Sequence, residues 1–395
     1  MNILYLHQYF HLPFMNGSTR SYELARGLVE NGYKVTVITS NAKGLENLPL
    51  EYEGIEIVWL DVKYDNSFSV RRRLRSFLAF LLLASYHVLK RRNYDLIYAS
   101  STPLTIIVPA ILGRLLRFKP YVFEVRDLWP EIPIAMGYLK NRFTQLFSKG
   151  LVRVGYKCAN TIVCLSNDMY YELIERYRID PEKVFVLPNF SSSLYFSNST
   201  EERPIEFPQN KKIIIYPGTF GVVNGLRYLV ELAQEIRGTD LFIFCIGDGR
   251  EYNEVLNLAK AKNVLNETIS IQPGVAKKKV FWYIQNADFL ISTTIEVPEL
   301  NWNSANKYFD GICAWKPILI NYLGWQADEI LKSGIGIPLS RNVKQASAQL
   351  QKINDRDYEE MVQNIKELSK KYQSSAITKR LIKILANDQE ISNLY

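Results

Sequence analysis

The sequence predicts an α/β protein with two doubly wound, Rossmann-like domains that face each other across a cleft. Short apolar runs alternate with helix-length amphipathic segments, as in parallel βαβ units, and this alternation pauses near residue 190 and resumes near residue 211. A chain of 395 residues is also too long for one ordinary core. Two such sheets in succession leave a crevice at the carboxyl ends of their strands, where doubly wound folds bind ligands.

The predicted domain boundaries follow this alternation. We expect an N-terminal domain over residues 1–190 and a linker rich in Ser, Asn, Pro and Glu over 191–210. A C-terminal domain follows over 211–375. The last segment, 376–395, is predicted to be a helical tail that can pack back on the N-terminal domain.

In the N-terminal domain, an apolar strand is followed by an amphipathic helix over 20–31, which Gly32 ends. Strands are predicted at 3–6, 34–39, 55–60, 96–99, 121–125, 161–165 and 184–187. In the C-terminal domain they are predicted at 213–216, 241–246, 268–271, 289–292 and 318–321, with helices near 226–236, 251–262, 278–286 and 306–314. Both series indicate parallel sheets.

The composition favours a globular protein that stays in the cytoplasm. Hydrophobic residues make up 47% of the chain and charged residues 22%, and the start lacks the pattern of a secretory signal. The four cysteines are scattered and only three histidines are present, so we expect reduced thiols rather than disulfides or zinc. No D-x-D pattern follows a predicted strand, so no metal or other cofactor is expected.

Most of the net charge of +8 belongs to the first domain. Residues 1–190 hold 24 Lys and Arg against 17 Asp and Glu, whereas the rest holds 24 against 23. An apolar run over 76–89 is too short to span a bilayer. The cations that flank it are Arg71, Arg72, Arg73, Arg75, Lys90, Arg91 and Arg92. We expect them to meet an anionic membrane surface. The alternative is a buried helix with solvated ends; nucleic acid is disfavoured because no binding motif accompanies the charge.

The segment over 303–317 predicts an anion site at a helix N-terminus. Ser304 and Asn306 lie at its polar start, Lys307 adds a cation in the first turn, and Asp310 lies one turn further on. A cation and a carboxylate this close suit a phosphorylated sugar. The alternative is a surface helix with an ordinary i,i+3 ion pair.

Glycine-containing turns follow several strands of the second domain. The turn over 216–225 carries Gly218, Thr219, Gly221 and Asn224, and Gly274 follows a later strand. Small residues let backbone N–H groups approach an anion, although one such turn is often only structural.

In the first domain, Asp127 begins the loop after a predicted strand and is the preferred functional candidate there. Glu124 and Arg126 beside it are expected to form an ion pair. The first strand is followed by a turn with Gly17, Ser18 and Arg20, which we expect to contact phosphate or acceptor.

Together these segments resemble the retaining glycosyltransferases of family four, which have the GT-B fold, especially bacterial enzymes that build surface polysaccharides. The resemblance covers almost the whole chain. The matching segments are 8–10, 17–23, 124–131, 218–225, 247–249, 304–310 and the Lys-Pro pair at 316–317.

The resemblance implies that the second domain binds a nucleotide-sugar donor and the first an acceptor. The acidic residue that binds the ribose in that family falls on Asp310, and Lys307 is expected to act on the leaving diphosphate while Asp127 orients the acceptor. Trp302 stands where the family has its first acidic residue, and Glu296 or Glu299 can substitute for it. The diphosphate-binding Arg and Lys of the family are absent.

The function implied is transfer of a sugar from a nucleotide diphosphate, expected to carry UDP and an N-acetylated or deoxy hexose, to a polyprenyl-diphosphate-linked saccharide with retention. The implied location is the inner face of the cytoplasmic membrane. The alternatives are an epimerase or hydrolase that acts on nucleotide sugars, and a non-catalytic scaffold that binds them.

Overall fold

The computed structural model describes residues 1–15, 17–65, 68–190 and 202–392, with side chains described as far as residue 386. The chain forms two compact units, Met1–Pro188 with Ser374–Tyr395, and Asn189–Gln373. Residues 191–201 of the predicted linker lie outside the described residues.

Unit 1 contains a sheet that is parallel except for one short edge strand. Its strands are β1 (Asn2–Leu6), β2 (Lys34–Ser40), β3 (Glu51–Tyr52), β4 (Ile55–Leu60), β5 (Leu96–Ser100), β6 (Tyr121–Val125), β7 (Thr161–Cys164) and β8 (Val184–Val186). Their spatial order is β3-β4-β2-β1-β5-β6-β7-β8. The direction of connection reverses beside β1, so a ligand crevice is expected at the carboxyl ends of β1 and β5.

The helices of unit 1 connect these strands. They are α1 (Arg20–Glu30), α2 (Val70–Lys90), α3 (Ile107–Arg117), α4 (Glu131–Ala135), α5 (Arg142–Cys158) and α6 (Asn167–Glu175). Every residue of β5 and β6 is buried, as expected for parallel strands covered on both faces.

Unit 2 contains a fully parallel sheet in the order β11-β10-β9-β12-β13-β14. Its strands are β9 (Lys212–Pro217), β10 (Leu241–Ile246), β11 (Ile269–Gln272), β12 (Phe289–Ser292), β13 (Ile318–Ile320) and β14 (Gly336–Pro338). Its helices are α7 (Arg227–Glu235), α8 (Tyr252–Ala261), α9 (Lys277–Asn286), α10 (Asn306–Cys313), α11 (Trp325–Ser333), α12 (Val343–Gln351) and α13 (Asp355–Ser369). Successive residues of β9 enter separate cores, Ile214 on one face and Ile213 on the other.

The last helix, α14 (Ser374–Ser392), belongs to unit 1 and packs on α1. A Cβ at Gly27 of α1 would lie 2.5 Å from the hydroxyl oxygen of Thr378, so the small residue permits this contact.

The predicted class, two doubly wound parallel domains, is confirmed. The predicted strands match the observed ones to within about two residues. β3 and β14 were missed, because β3 has two residues and β14 contains Gly336 and Pro338, which disfavour a strand.

Candidate functional site

Three strand-end turns of unit 2 are held together by hydrogen bonds, at places where only glycine leaves enough room. Phe220, after β9, donates its N–H to the carbonyl of Asp248, after β10, at 2.9 Å. The carboxylate of Asp248 in turn accepts the N–H of Gly274, after β11, at 3.0 Å. A Cβ on Gly247 would overlap the carbonyl of Gly218, and one on Gly274 would overlap Asp248. The carboxyl edge of this sheet is therefore one connected surface of turns.

Lys307 lies against this surface from the first turn of α10. Its ammonium donates a hydrogen bond to Oδ1 of Asn224 at 3.3 Å and lies 4.8 Å from the ring centroid of Tyr216. A Cβ on Gly218, whose φ is +153°, would lie 2.5 Å from Cε of Lys307. The turn after β9 thus has room for this lysine only because residue 218 has no side chain.

Burial changes the acidity of this cation. Loss of water lowers the pKa of Lys307 to about 8, and the charge of Asp310, three residues along α10, partly opposes that effect. A half-buried ammonium whose charge is only partly balanced by a nearby carboxylate favours an anionic ligand.

Asn224 holds the turn in place as well as the lysine. Its side-chain NH₂ donates to the carbonyl of Thr219 at 2.9 Å, and its backbone carbonyl accepts a hydrogen bond from the hydroxyl of Thr293 at 2.6 Å. Gly221 precedes the short 3-10 turn Val222–Asn224. The predicted donor residues Gly218, Thr219, Gly221, Asn224 and Lys307 are therefore brought together.

The N-terminus of α10 has no side-chain cap. Ser304, just before it, is 4% exposed, and its hydroxyl has no hydrogen-bond partner among the described residues. Asn306 is exposed, and Asp310 is half-buried. A buried, unpaired hydroxyl beside uncapped N–H groups is suited to an oxygen-rich anion.

Two supports of this site carry no sequence signal and were missed. Asn189 donates to the carbonyl of Ser304 at 2.8 Å across 115 residues of sequence. Arg341 donates to the carbonyls of Thr294 and Ile295 at 3.1 and 3.2 Å and so holds the loop after β12.

In unit 1, Asp127 and Arg126 follow β6 at the carboxyl edge of the sheet. Burial raises the pKa of Asp127, and Arg126 beside it works in the opposite direction. The Arg126 guanidinium lies 3.3 Å from Nε2 of His7, which follows β1. Burial, reinforced by Arg126, holds the pKa of His7 well below its usual range. Because a guanidinium can only donate, Nε2 of this neutral histidine is the acceptor.

Arg20 lies inside unit 1, whereas the sequence predicted that it contacts phosphate or acceptor from the turn before α1. It is the first residue of α1, is 3% exposed and forms a buried ion pair with Glu124 at 2.9 Å. It also donates to the carbonyls of Leu187 and Pro188. The ion pair expected between Glu124 and Arg126 is thus replaced by one with Arg20, 104 residues away.

The remaining residues of the predicted phosphate loop lie nearer the surface. Gly17 is exposed with a φ of +143°, and a Cβ there would lie 2.6 Å from Nδ1 of His11. Ser18 is half-buried. Their role in ligand contact stays a prediction.

The predicted membrane residues lie on α2 and just after it. Arg71, Arg72, Arg75, Lys90 and Arg92 are exposed, and Arg73 is half-buried. Arg91 forms an ion pair with Glu56 at 2.8 Å. The outer side of α2 also exposes apolar residues, so the helix is not simply buried between solvated ends. Across the described parts of the chain, no helix has the length and apolarity to cross a membrane.

Within the described ranges, no group of three or more His, Cys, Asp or Glu side chains is arranged to hold a metal ion. The expectation that no metal is required stays a prediction.

Residues 17–191 match the family model described as Glycosyltransferase Family 4. Over 120 residues, 29% of each chain, the sequence is 26% identical to the Escherichia coli K12 protein WcaI, named as a glycosyl transferase of colanic acid biosynthesis. Over 183 residues, which are 44% of this chain and 46% of that protein, it is 25% identical to the E. coli UDP-Gal:α-D-GlcNAc-diphosphoundecaprenol α-1,3-galactosyltransferase. The chain thus spans less than half the length of these curated relatives.

Solved structures resemble the whole chain. Anabaena HepE, crystallised in complex with UDP-glucose, matches with a TM-score of 0.69 over 98% of this chain and 100% of that one, at 16% identity. At this identity the similarity concerns the fold.

Proposed function

We infer that the chain belongs to the family-4 glycosyltransferases, and we propose that it transfers a sugar from a UDP-linked donor to a lipid-linked saccharide with retention, in surface polysaccharide biosynthesis such as that of O-antigen or capsule. The family match over residues 17–191 and the names of the two E. coli relatives support a transferase of this kind. The UDP-glucose complex of the structurally similar HepE supports a nucleotide-sugar donor.

The observation that carries the proposal is the position of Lys307. Its ammonium, fixed by Asn224 above the ring of Tyr216, lies beside the glycine turn at Gly218 and at the N-terminus of an uncapped helix. A diphosphate bound there would meet a cation and backbone N–H groups together. In that role Lys307 compensates for the diphosphate-binding Arg and Lys that the chain lacks.

The remaining donor contacts follow from the same helix. Asp310, one turn beyond Lys307, accepts hydrogen bonds from the ribose hydroxyls, while Ser304 and Asn306 contact the phosphates. No metal ion is invoked, because Lys307 and the backbone N–H groups stabilise the charge that develops on the leaving group.

In the proposed reaction, the bond between the anomeric carbon and the diphosphate oxygen breaks, and the acceptor oxygen bonds to that carbon on the same face. The acceptor proton passes to the departing diphosphate, so the products are a glycoside and UDP. Lys307 stabilises the diphosphate negative charge, and Asp127 orients the acceptor hydroxyl. Positioning and charge stabilisation therefore account for the catalysis.

The proposed transfer is tested by incubating the purified protein with a panel of nucleotide sugars and a polyprenyl-diphosphate-linked saccharide. The expected product is one sugar heavier than the acceptor, and NMR should show the donor's anomeric configuration. Release of free sugar without an acceptor would instead indicate a hydrolase, and an interconverted donor an epimerase. Donor binding without any turnover would indicate a scaffold.

We further propose that the enzyme acts at the cytoplasmic face of the membrane and binds anionic lipid through Arg71, Arg72, Arg73, Arg75, Lys90, Arg91 and Arg92. Clustered cations on a surface helix attract lipid phosphates, and each contributes about 1 kcal/mol near the surface. Flotation with anionic vesicles should carry the wild type upward at low salt. An Arg71→Ser, Arg72→Ser, Arg73→Ser variant should float less; equal flotation of the two would exclude this contact.

A further inference from the structure

Helices α2, α3 and α5 form one layer on one face of the unit 1 sheet. The chain moves in the same direction across the sheet through all three, and right-handed crossovers place such helices on a common face. Small residues let them pack closely. A Cβ on Gly113 of α3 would lie 3.1 Å from Val88 of α2, and one on Gly155 of α5 would overlap Ile107 of α3.

The outer side of this layer is apolar. On α2, Leu78, Leu82 and Tyr86 recur every four residues and are 54–59% exposed. On α5, the apolar side faces outward as well: Phe143, Leu146 and Phe147 are 76%, 70% and 67% exposed, while Val152 and Tyr156 face inward. Two helices that share this arrangement produce a larger apolar surface than scattered exposed residues do.

The charges between these side chains have one sign. Helices α2, α3 and α5 together contain eleven Lys and Arg and no Asp or Glu. Right-handed connections also place α6 on this face, beside β8, and it carries three acidic residues and no cation, so the cationic surface is that of α2, α3 and α5. An apolar face interleaved with cations complements phosphate headgroups above acyl chains.

We propose that this outer face docks on an anionic bilayer and that Leu78, Leu82 and Tyr86 of α2, with Phe143, Leu146 and Phe147 of α5, enter the acyl-chain boundary. This deepens the proposed membrane contact, which involved only the cations on α2 and just after it, and it rests on the proposed lipid-linked acceptor. Apolar insertion adds an attraction that salt does not screen, in contrast to the electrostatic contact of the arginines.

Docking on this face places the acceptor edge of the sheet near the lipid. The ring of Tyr9, just after β1, lies 4.9 Å from Tyr64, whose ring lies 5.5 Å from Phe77 of α2. The early turns of α2 therefore lie beside the carboxyl end of β1. The first turn of α5 is similarly tied to the region after β6, since Gln145 donates to the carbonyl of Leu139 and the N–H of Leu139 to Pro133. Asp127 lies between these regions in the chain and at the same edge.

Vesicle flotation at low and high salt separates the two contributions. Wild type should float with phosphatidylglycerol-containing vesicles and retain part of that binding at high salt. A Phe143→Ser, Leu146→Ser, Phe147→Ser variant should lose at least about tenfold in partitioning and most of the salt-resistant binding, with the remainder supplied by the apolar residues of α2. A Leu323→Ser, Leu331→Ser variant removes equally exposed apolar residues from unit 2 and should float like wild type. Unchanged flotation of the α5 variant would overturn the proposal.

A second measurement does not depend on loss of binding. A Phe147→Trp variant adds a fluorophore on α5, and lipids brominated in their acyl chains should quench the emission that it adds to the wild-type spectrum. Absence of added quenching would show that α5 stays outside the bilayer. Sugar transfer to a water-soluble acceptor analogue is measured in parallel. If transfer proceeds without insertion, only this inference fails; if insertion occurs without transfer, only the proposed function fails.

Discussion

Oδ1 of Asn224 lies 3.3 Å from the ammonium of Lys307, although 83 residues separate the two in the sequence. In the family that the sequence resembles, a cation for the diphosphate commonly stands in this turn, where this chain has Asn224. In this chain the asparagine instead contacts the one lysine of α10 and connects it to the turn after β9. Helix α10 therefore supplies the cation, and the turn after β9 fixes where that cation lies.

Replacing Asn224 with Ala should weaken donor binding by releasing Lys307. One hydrogen bond to a charged group is lost, worth about 1.5 kcal/mol, so the dissociation constant for UDP should rise by about tenfold. Isothermal titration of UDP measures this. Asn263→Ala, at a turn remote from α10 in sequence, is a control that should bind as wild type. If Asn224→Ala also retained wild-type affinity, the hydrogen bond between Asn224 and Lys307 would not contribute to donor binding.

The acidity of Lys307 predicts how donor binding depends on pH. Burial lowers its pKa to about 8, so in the free enzyme the ammonium is largely protonated at pH 7 and largely neutral at pH 9. Above about pH 7, where the diphosphate of UDP is already fully ionised, UDP affinity should fall as the pH rises through 8. Lys307→Arg should remove this fall, because guanidinium stays protonated. A wild-type profile that is flat to pH 9 would contradict the assignment.

Gly218→Ala should reduce the free energy of UDP binding by more than it reduces the free energy of unfolding. The new Cβ would lie 2.5 Å from Cε of Lys307, and the flexible side chain must move away. An L residue rarely adopts a φ of +153°, so the substitution also adds backbone strain of about 1–3 kcal/mol.

Gly238→Ala is the matched control for this variant. Its φ is +75° and a Cβ there has nothing within 4 Å, so it carries backbone strain without touching the lysine. Thermal unfolding should show a loss for both variants, larger for Gly218→Ala, and UDP titration a loss for Gly218→Ala alone. Equal UDP affinities would refute the steric argument.

The features that the sequence predicts well are those encoded locally. Apolar runs mark the buried strands, and the start of α10 is predicted because polar residues precede an amphipathic segment. Gly218 was predicted to lie in a glycine-containing turn after a strand, but its close approach to Lys307 depends on the folded chain.

The features that were missed depend on contacts between distant residues or on which side of a helix faces inward. Arg20 pairs with Glu124 across 104 residues of sequence, whereas the sequence predicted that Arg126, two residues from Glu124, is the partner. On α5, the apolar residues Phe143 and Phe147 follow a helical period that fits a core equally well. Only the packing of α5 on α3 determines that they face outward.

Asp310→Ala should raise the dissociation constant for UDP. The carboxylate is the proposed acceptor for a ribose hydroxyl, and one charge-assisted hydrogen bond of roughly 1.5 kcal/mol corresponds to about tenfold. The same change removes a charge that favours protonated Lys307, so the loss should grow as the pH rises above 7. Asp328→Ala, an exposed carboxylate on α11, is the control. Unaltered UDP binding by Asp310→Ala would remove this residue from the site.

Arg20→Ala should destabilise unit 1 strongly. It leaves the carboxylate of Glu124 buried without its cation, and such a loss costs about 3–5 kcal/mol. Arg26→Ala, at a partly exposed pair with Glu30, should cost less than about 1 kcal/mol. Denaturant unfolding distinguishes the two, and Arg20→Ala with Glu124→Gln should recover part of the loss.

The same ion pair predicts a dependence of stability on acid. Burial by itself would raise the pKa of Glu124, but Arg20, Arg126 and the Ser100 hydroxyl outweigh it and lower the pKa below the ordinary value. The ionised pair therefore stabilises the fold above the ordinary carboxyl pKa, and this contribution disappears as the pH falls through the lowered value. Glu124→Gln should therefore make the free energy of unfolding depend less on pH in the acid range. If Arg20→Ala instead kept wild-type stability and lost only acceptor binding, Arg20 would be a ligand contact, as its place in the predicted loop first indicated.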